Sequence, residues 1–169
     1  MSGDTAALAT YDFRKASRLP EAMQCFATAW QEEFCKLAQK KWARHLPYAA
    51  RWHAAALETA RPSEPRLFTE PTVGYRVRWG DLQTPMLFFF SRRLMLALAS
   101  GMLGYASEEL PEDRPVSPME QTLADTLMQE LVWALNEAHP GADPPSCEMI
   151  GPERRRQMKR LFPADHDVV

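Results

Sequence analysis

Four histidines, three cysteines and two clusters of charge are the residue types here that could support chemistry, and their spacing decides what they can do. His45, His53, His139 and His166 are scattered, with no His-x-x-x-His pair to hold a metal on one helix face. They read as surface or packing histidines rather than ligands or general bases. Cys25, Cys35 and Cys147 are odd in number and lack metal-ligand spacing, so they read as reduced thiols in a cytoplasmic protein. Glu108, Glu109, Glu112 and Asp113 carry the charge of a cation site, but Pro111 and Arg114 interrupt them, and a solvated loop is the better reading. The basic run from Arg154 to Arg160 has the charge to touch phosphate; in a chain of net charge -2 it reads as a solvated or partner-facing helix. Trp30, Trp52 and Trp133 fall in apolar patterns and read as core rather than as a stacking platform. No glycine-rich phosphate loop or nucleophile elbow is present. Nothing assembles into an active site, so the chain reads as non-enzymatic and without a cofactor or metal.

The composition agrees with a binding role. With 169 residues, 46% hydrophobic and 25% charged, the chain suits one domain with a real core. Its small net charge gives no general reason to expect nucleic acid or an anionic membrane as partner. No apolar run approaches the roughly 20 residues that span a bilayer, and Met1-Ser2-Gly3-Asp4 does not open a signal peptide. Fourteen prolines against seven glycines punctuate the periodic segments.

Periodicity then supplies the elements. Residues 1–10 are small and polar and read as disordered. A helix is expected from about Leu19 to Arg44, with Met23, Ala27, Trp30, Phe34, Leu37 and Ala38 as its apolar stripe, widened by Cys25 and Phe26. Tyr48 to Ala60 fits helix or strand equally, and Pro62 and Pro65 mark a loop. Thr72 to Trp79 alternates as a strand, Val73, Tyr75, Val77 and Trp79 on one side and Arg76 and Arg78 on the other. After a turn at Gly80-Asp81, the continuous run Met86 to Phe90 predicts a second, antiparallel strand buried on both faces. Ser91 is the expected N-cap of a short helix with Leu94, Leu98 and Met102 inward. Ser117, Pro118 and Glu120 form a capping box with proline at the first helical position, opening a helix on which Leu123, Leu127, Leu131 and Leu135 recur. Residues 140–152 read as loop, and residues 141–169 as a basic tail leading to an incomplete strand.

Several of these segments, in this order, carry a resemblance. Tyr11-Asp12-Phe13-Arg14 before a long amphipathic helix resembles the opening of the middle domain of the flagellar motor switch protein FliM family. Leu94 to Gly104 is similar to that family's helix running into a Leu-Gly-Gly loop, and Glu112 to Gln121 to the acidic loop and helix start that follow. Leu161 to Val169 resembles the approach to the next strand. The resemblance implies an α/β fold over residues 11–140: the first half of a pseudo-symmetric domain related to CheC-type phosphatases and type III secretion sorting-platform proteins, with amphipathic helices on a small antiparallel sheet. It implies a non-enzymatic scaffold working through protein–protein interfaces in a motor switch or secretion-type assembly, cytoplasmic and peripheral at the base of a membrane-embedded machine. The residues matching the family's rotor-contacting loop, which binds FliG, are Leu103, Gly104, Tyr105, Ala106 and Ser107, where two of the family's glycines are replaced. Tyr105 then serves as an aromatic anchor or covers the helix end. A half-domain leaves sheet and apolar face to cover, so a homodimer is expected, with Tyr75, Val77, Trp79 or the Met86–Phe90 run near the contact. The alternatives are a fragment needing a second half, or a phosphatase of a response regulator. The phosphatases' Glu-x-x-Asn pair is missing: Glu130 and Asn136 stand six apart, on roughly opposite sides of their helix.

Overall fold

A computed structural model describes residues 20–55, 71–80, 86–105, 107, 109–141 and 146–153. Within them run α1 (Glu21–Trp42), β1 (Thr72–Trp79), β2 (Met86–Ser91), α2 (Arg92–Met102), α3 (Pro118–Ala138) and β3 (Cys147–Glu153). The three strands form an antiparallel sheet of order β2-β1-β3. The helices pack on it around one core, and the mixed α/β class is the one expected. The terminal motifs at 11–14 and 161–169, residues 1–10, the loop prolines 62 and 65, Asp81, the basic run 154–160 and His166 lie outside the described residues.

The strand alternation of β1 holds, because Tyr75 and Val77 point at the helices and are fully buried while Arg78 is exposed and pairs with Glu148 on β3. Tyr75 and Val77 therefore belong to the chain's own core. The Tyr75 hydroxyl donates to Asp125 Oδ1 (3.0 Å) and accepts from Gln121 Nε2 (2.8 Å), so even its polar end is satisfied by α3. Burial and the Asp125 carboxylate push the phenol far above its usual pKa.

β2 corrects an expectation. Its apolar run is not buried on both faces: Phe90 is buried, with Met86 and Phe88 packed against the core on the same side, while Phe89 on the other side is exposed, because among the described residues the core covers one face of the sheet. β3 is a second correction, since residues 140–152 contain a strand where loop was read. Asn136 pins its first residue, accepting from Cys147 N (2.6 Å) and donating to Cys147 O (3.0 Å). The register on β1 shifts between Arg76 and Val77, close to Gly151 at φ 136°. Burial pushes the Cys147 thiol up to about 11.

α1 and α3 are joined by two tryptophans. Trp30 Nε1 donates to Leu135 O (3.2 Å) and Trp42 Nε1 to Leu127 O (3.0 Å), so the helices run in opposite directions where they meet. Trp30, Ala38, Leu127 and Leu131 lie in the shared core, but Met23, Cys25 and Phe26 at the start of α1 are exposed. Phe26 and Trp30 both pack edge-on against His139, which makes that histidine a packing residue. Trp133 was expected in the core and is 51% exposed. Residues 46–55 form neither the helix nor the strand considered for 48–60; Trp52 holds this segment down by edge-on contacts with Trp42 and Phe34.

Candidate protein-interaction site

The segment from α2 to α3 is built from its two ends inward. α2 starts as expected, with Ser91 Oγ accepting from Leu94 N (3.2 Å). Its inner face is Met95, Leu96, Leu98, Ala99 and Gly101, whereas Leu94 points outward at 38% exposure. Gly101 lets the chain at Tyr48 approach, because a Cβ there would sit 2.6 Å from the Tyr48 hydroxyl. At the other end, Gly104 N donates to Gly101 O (2.9 Å) and Tyr105 N to Ser100 O (3.0 Å). This is a Schellman termination, and it needs the left-handed conformation that Gly104 adopts at φ 87°. Gly104 is therefore needed for its conformation, while Tyr105 has an ordinary negative φ.

The cap throws the next side chains outward. Leu103 is 46% exposed and Tyr105 72% exposed, so Tyr105 does not cover the helix end. Ser107 accepts from Glu109 N (3.2 Å) and is itself exposed, and Ala106 lies outside the described residues. The structure therefore brings Leu103, Gly104 and Tyr105 together at one corner.

Three arginines fix the path beyond. Arg93 donates to Pro111 O (2.8 Å) and Leu110 O (3.0 Å), and Arg92 makes a two-pronged pair with Asp113, its Nε lying 2.7 Å from Oδ1. This pair holds the Asp113 carboxyl below its usual range, so the acidic segment read as a solvated loop is strapped to α2 through Asp113. Arg114 binds both oxygens of Glu120 (2.9 and 2.5 Å), and Glu120 Oε2 also accepts from Ser117 N (2.8 Å). Ser117 Oγ returns the bond from Glu120 N (3.3 Å), completing the capping box. Arg114 foremost, with Ser117, holds the Glu120 carboxyl down to about 2. Arg92 and Arg93 did not stand out in the sequence, because a strap between residues about twenty apart has no periodic signature.

The residues that a phosphatase would use are occupied elsewhere. Glu130 meets His45 Nε2 at 3.1 Å, and Asn136 is committed to β3. Among the described residues no three His, Cys, Asp or Glu side chains converge as metal ligands, and no helix is long and apolar enough to cross a membrane.

The described residues thus form a three-stranded antiparallel sheet under a long capped helix, with a braced loop between α2 and α3. No family model and no curated protein matches the sequence. Solved structures do match the fold. The FliM middle domain from Vibrio alginolyticus superposes with a TM-score of 0.69 and 16% identity, over 84% of this chain and 80% of that one. A FliM–SpeE complex from H. pylori matches with a TM-score of 0.73 and 10% identity, over 89% and 78% of the two chains. A FliG–FliM complex from H. pylori matches with a TM-score of 0.70 and 9% identity, over 80% and 75%. The chain has a FliM-middle-domain-like fold, and the likeness covers more of that domain than its first half.

Proposed function

We propose that this chain is a non-enzymatic scaffold that presents the corner at Leu103, Gly104, Tyr105, Ala106 and Ser107 to a protein partner. The observation that carries the reading is Tyr105, 72% exposed beside Leu103 on a turn fixed by the Gly104 cap. Large apolar side chains held outward in a fixed geometry lose little entropy on docking, and Tyr is enriched among residues that dominate binding energy. The partner fitting the resemblance is a rotor or switch component of a motor, or its counterpart in a secretion-type assembly, at the cytoplasmic base of a membrane machine. One of the matched structures is a complex of FliM with FliG, which makes FliG the first partner to test. A homodimer belongs to the same reading, with the exposed Phe89 of β2 as its probe.

Calorimetric titration with FliG from the same host tests the corner. Tyr105→Ala and Leu103→Ala should each weaken binding by about 1–3 kcal/mol without shifting the unfolding midpoint. Binding that is absent in the parent chain, or unchanged in both variants, rejects the proposal. The dimer is tested apart from it, by the mass of the parent chain and of Phe89→Glu in light scattering.

A further inference from the structure

α3 buries much of its circumference, and the stripe it turns to solvent is unusual in carrying no charge from residue 121 to residue 136. Its four charged side chains in or beside that span are drawn aside: Glu120 to Arg114, Asp125 to Tyr75, Glu130 to His45 and Glu137 to Lys41. What remains outward is Met119, Thr122, Thr126 and Trp133, all exposed, with Gln129 half-buried between them. Thr122 Oγ1 donates to Pro118 O (3.1 Å) and Thr126 Oγ1 to Thr122 O (3.1 Å). Both hydroxyls are thus turned into the helix, leaving an effectively apolar track whose ends are Met119 (58% exposed) and Trp133 (51%).

The spacing 119, 122, 126, 129, 133 alternates three and four, the pattern that keeps a seam facing a second helix over a length of about 21 Å. Small threonines in mid-seam permit close approach of that helix. One end of the seam is charged. Lys41 pairs with Glu137 at 2.8 Å, and Lys40 and Arg44 also lower the pKa of that carboxyl, so three cations surround one exposed acid one turn beyond Trp133.

We infer that the Met119–Trp133 seam of α3 docks an amphipathic helix of a partner protein, with acidic residues of that helix against Lys40, Lys41 and Arg44. Trp133 is the anchor, and the basic end sets the orientation. This surface is separate from the corner at Tyr105 and does not depend on it.

The test is fluorescence anisotropy of the full 169-residue chain with a labelled peptide of about three heptads, Leu at a and d and Glu at e and g. The glutamates keep the peptide from pairing with itself. It should bind, and a twin with Lys in place of Glu should bind at least about tenfold more weakly. Thr126→Glu and Trp133→Ala should each lose at least about tenfold in affinity at an unchanged unfolding midpoint, because both side chains are exposed; Tyr105→Ala should bind as the parent does. Failure of both peptides to bind, equal binding of the two, or full binding by Thr126→Glu overturns the inference. A change of mass in light scattering on Trp133→Ala also overturns it, by assigning the seam to a second copy of the chain.

Discussion

The α1–α3 interface and the α2–α3 loop are both well defined, by opposite means. In the first, Trp30 and Trp42 are buried among leucines and give their indole N–H groups to backbone carbonyls of α3. In the second, three partly exposed arginines clip a loop to its flanking helices, and the apolar side chains point outward. Burial yields stability roughly in proportion to area, whereas exposed ion pairs contribute little energy and much geometry. The interface makes the fold stand, and the loop gives it a particular surface.

That contrast breaks most easily at Trp42. Trp42→Ala should cost about 3–5 kcal/mol in urea unfolding, because it leaves a cavity and frees Leu127 O. A loss near that of an exposed residue would show that the interface is not what holds the fold. His45→Ala comes next, at about 1–3 kcal/mol. Among the described residues it removes the hydrogen-bond partner of Glu130, whose other oxygen is already buried without one.

On the loop side the effects shrink. Gly104→Ala should cost about 1 kcal/mol, the penalty of a Cβ in the left-handed region; nothing crowds the position, so conformation alone is being measured. Arg92→Ala should cost less than about 1 kcal/mol and become undetectable at high salt. Acid titration sharpens the comparison further. Glu120 is depressed from 4.5 to about 2 in the folded chain, so its contribution is complete above pH 4.5 and is lost as pH falls toward 2. Glu120→Gln should flatten unfolding stability over that window, and an unaltered slope would mean that the Arg114 pair is not formed.

Much of this was legible where the signal is local. The capping box at Ser117, the Ser91 cap and the alternation of β1 are each written within four to eight consecutive residues, and all stand where the sequence put them. Features decided by distant partners were not. β3 contains Gly151 and Pro152, weak strand formers, and exists because β1 and Asn136 supply its hydrogen bonds. The Met86–Phe90 run looked doubly buried because composition does not say whether one face of a sheet is covered or both. Trp133 was misplaced because leucines every four residues establish an apolar helix without saying how much of its circumference is covered. At the candidate corner, Leu103, Gly104 and Tyr105 were named from sequence, but the arginine straps behind them appear only in three dimensions.

The two indole clasps also limit how the molecule responds to load. The carbonyls they grip, Leu135 and Leu127, lie eight residues apart on α3, and each is matched to a different tryptophan of α1. A slip of α1 along α3 by one helical turn, about 5.4 Å, would strand both N–H groups in the core at once. The helix pair therefore behaves as a keyed shaft, free to bend slightly but not to creep.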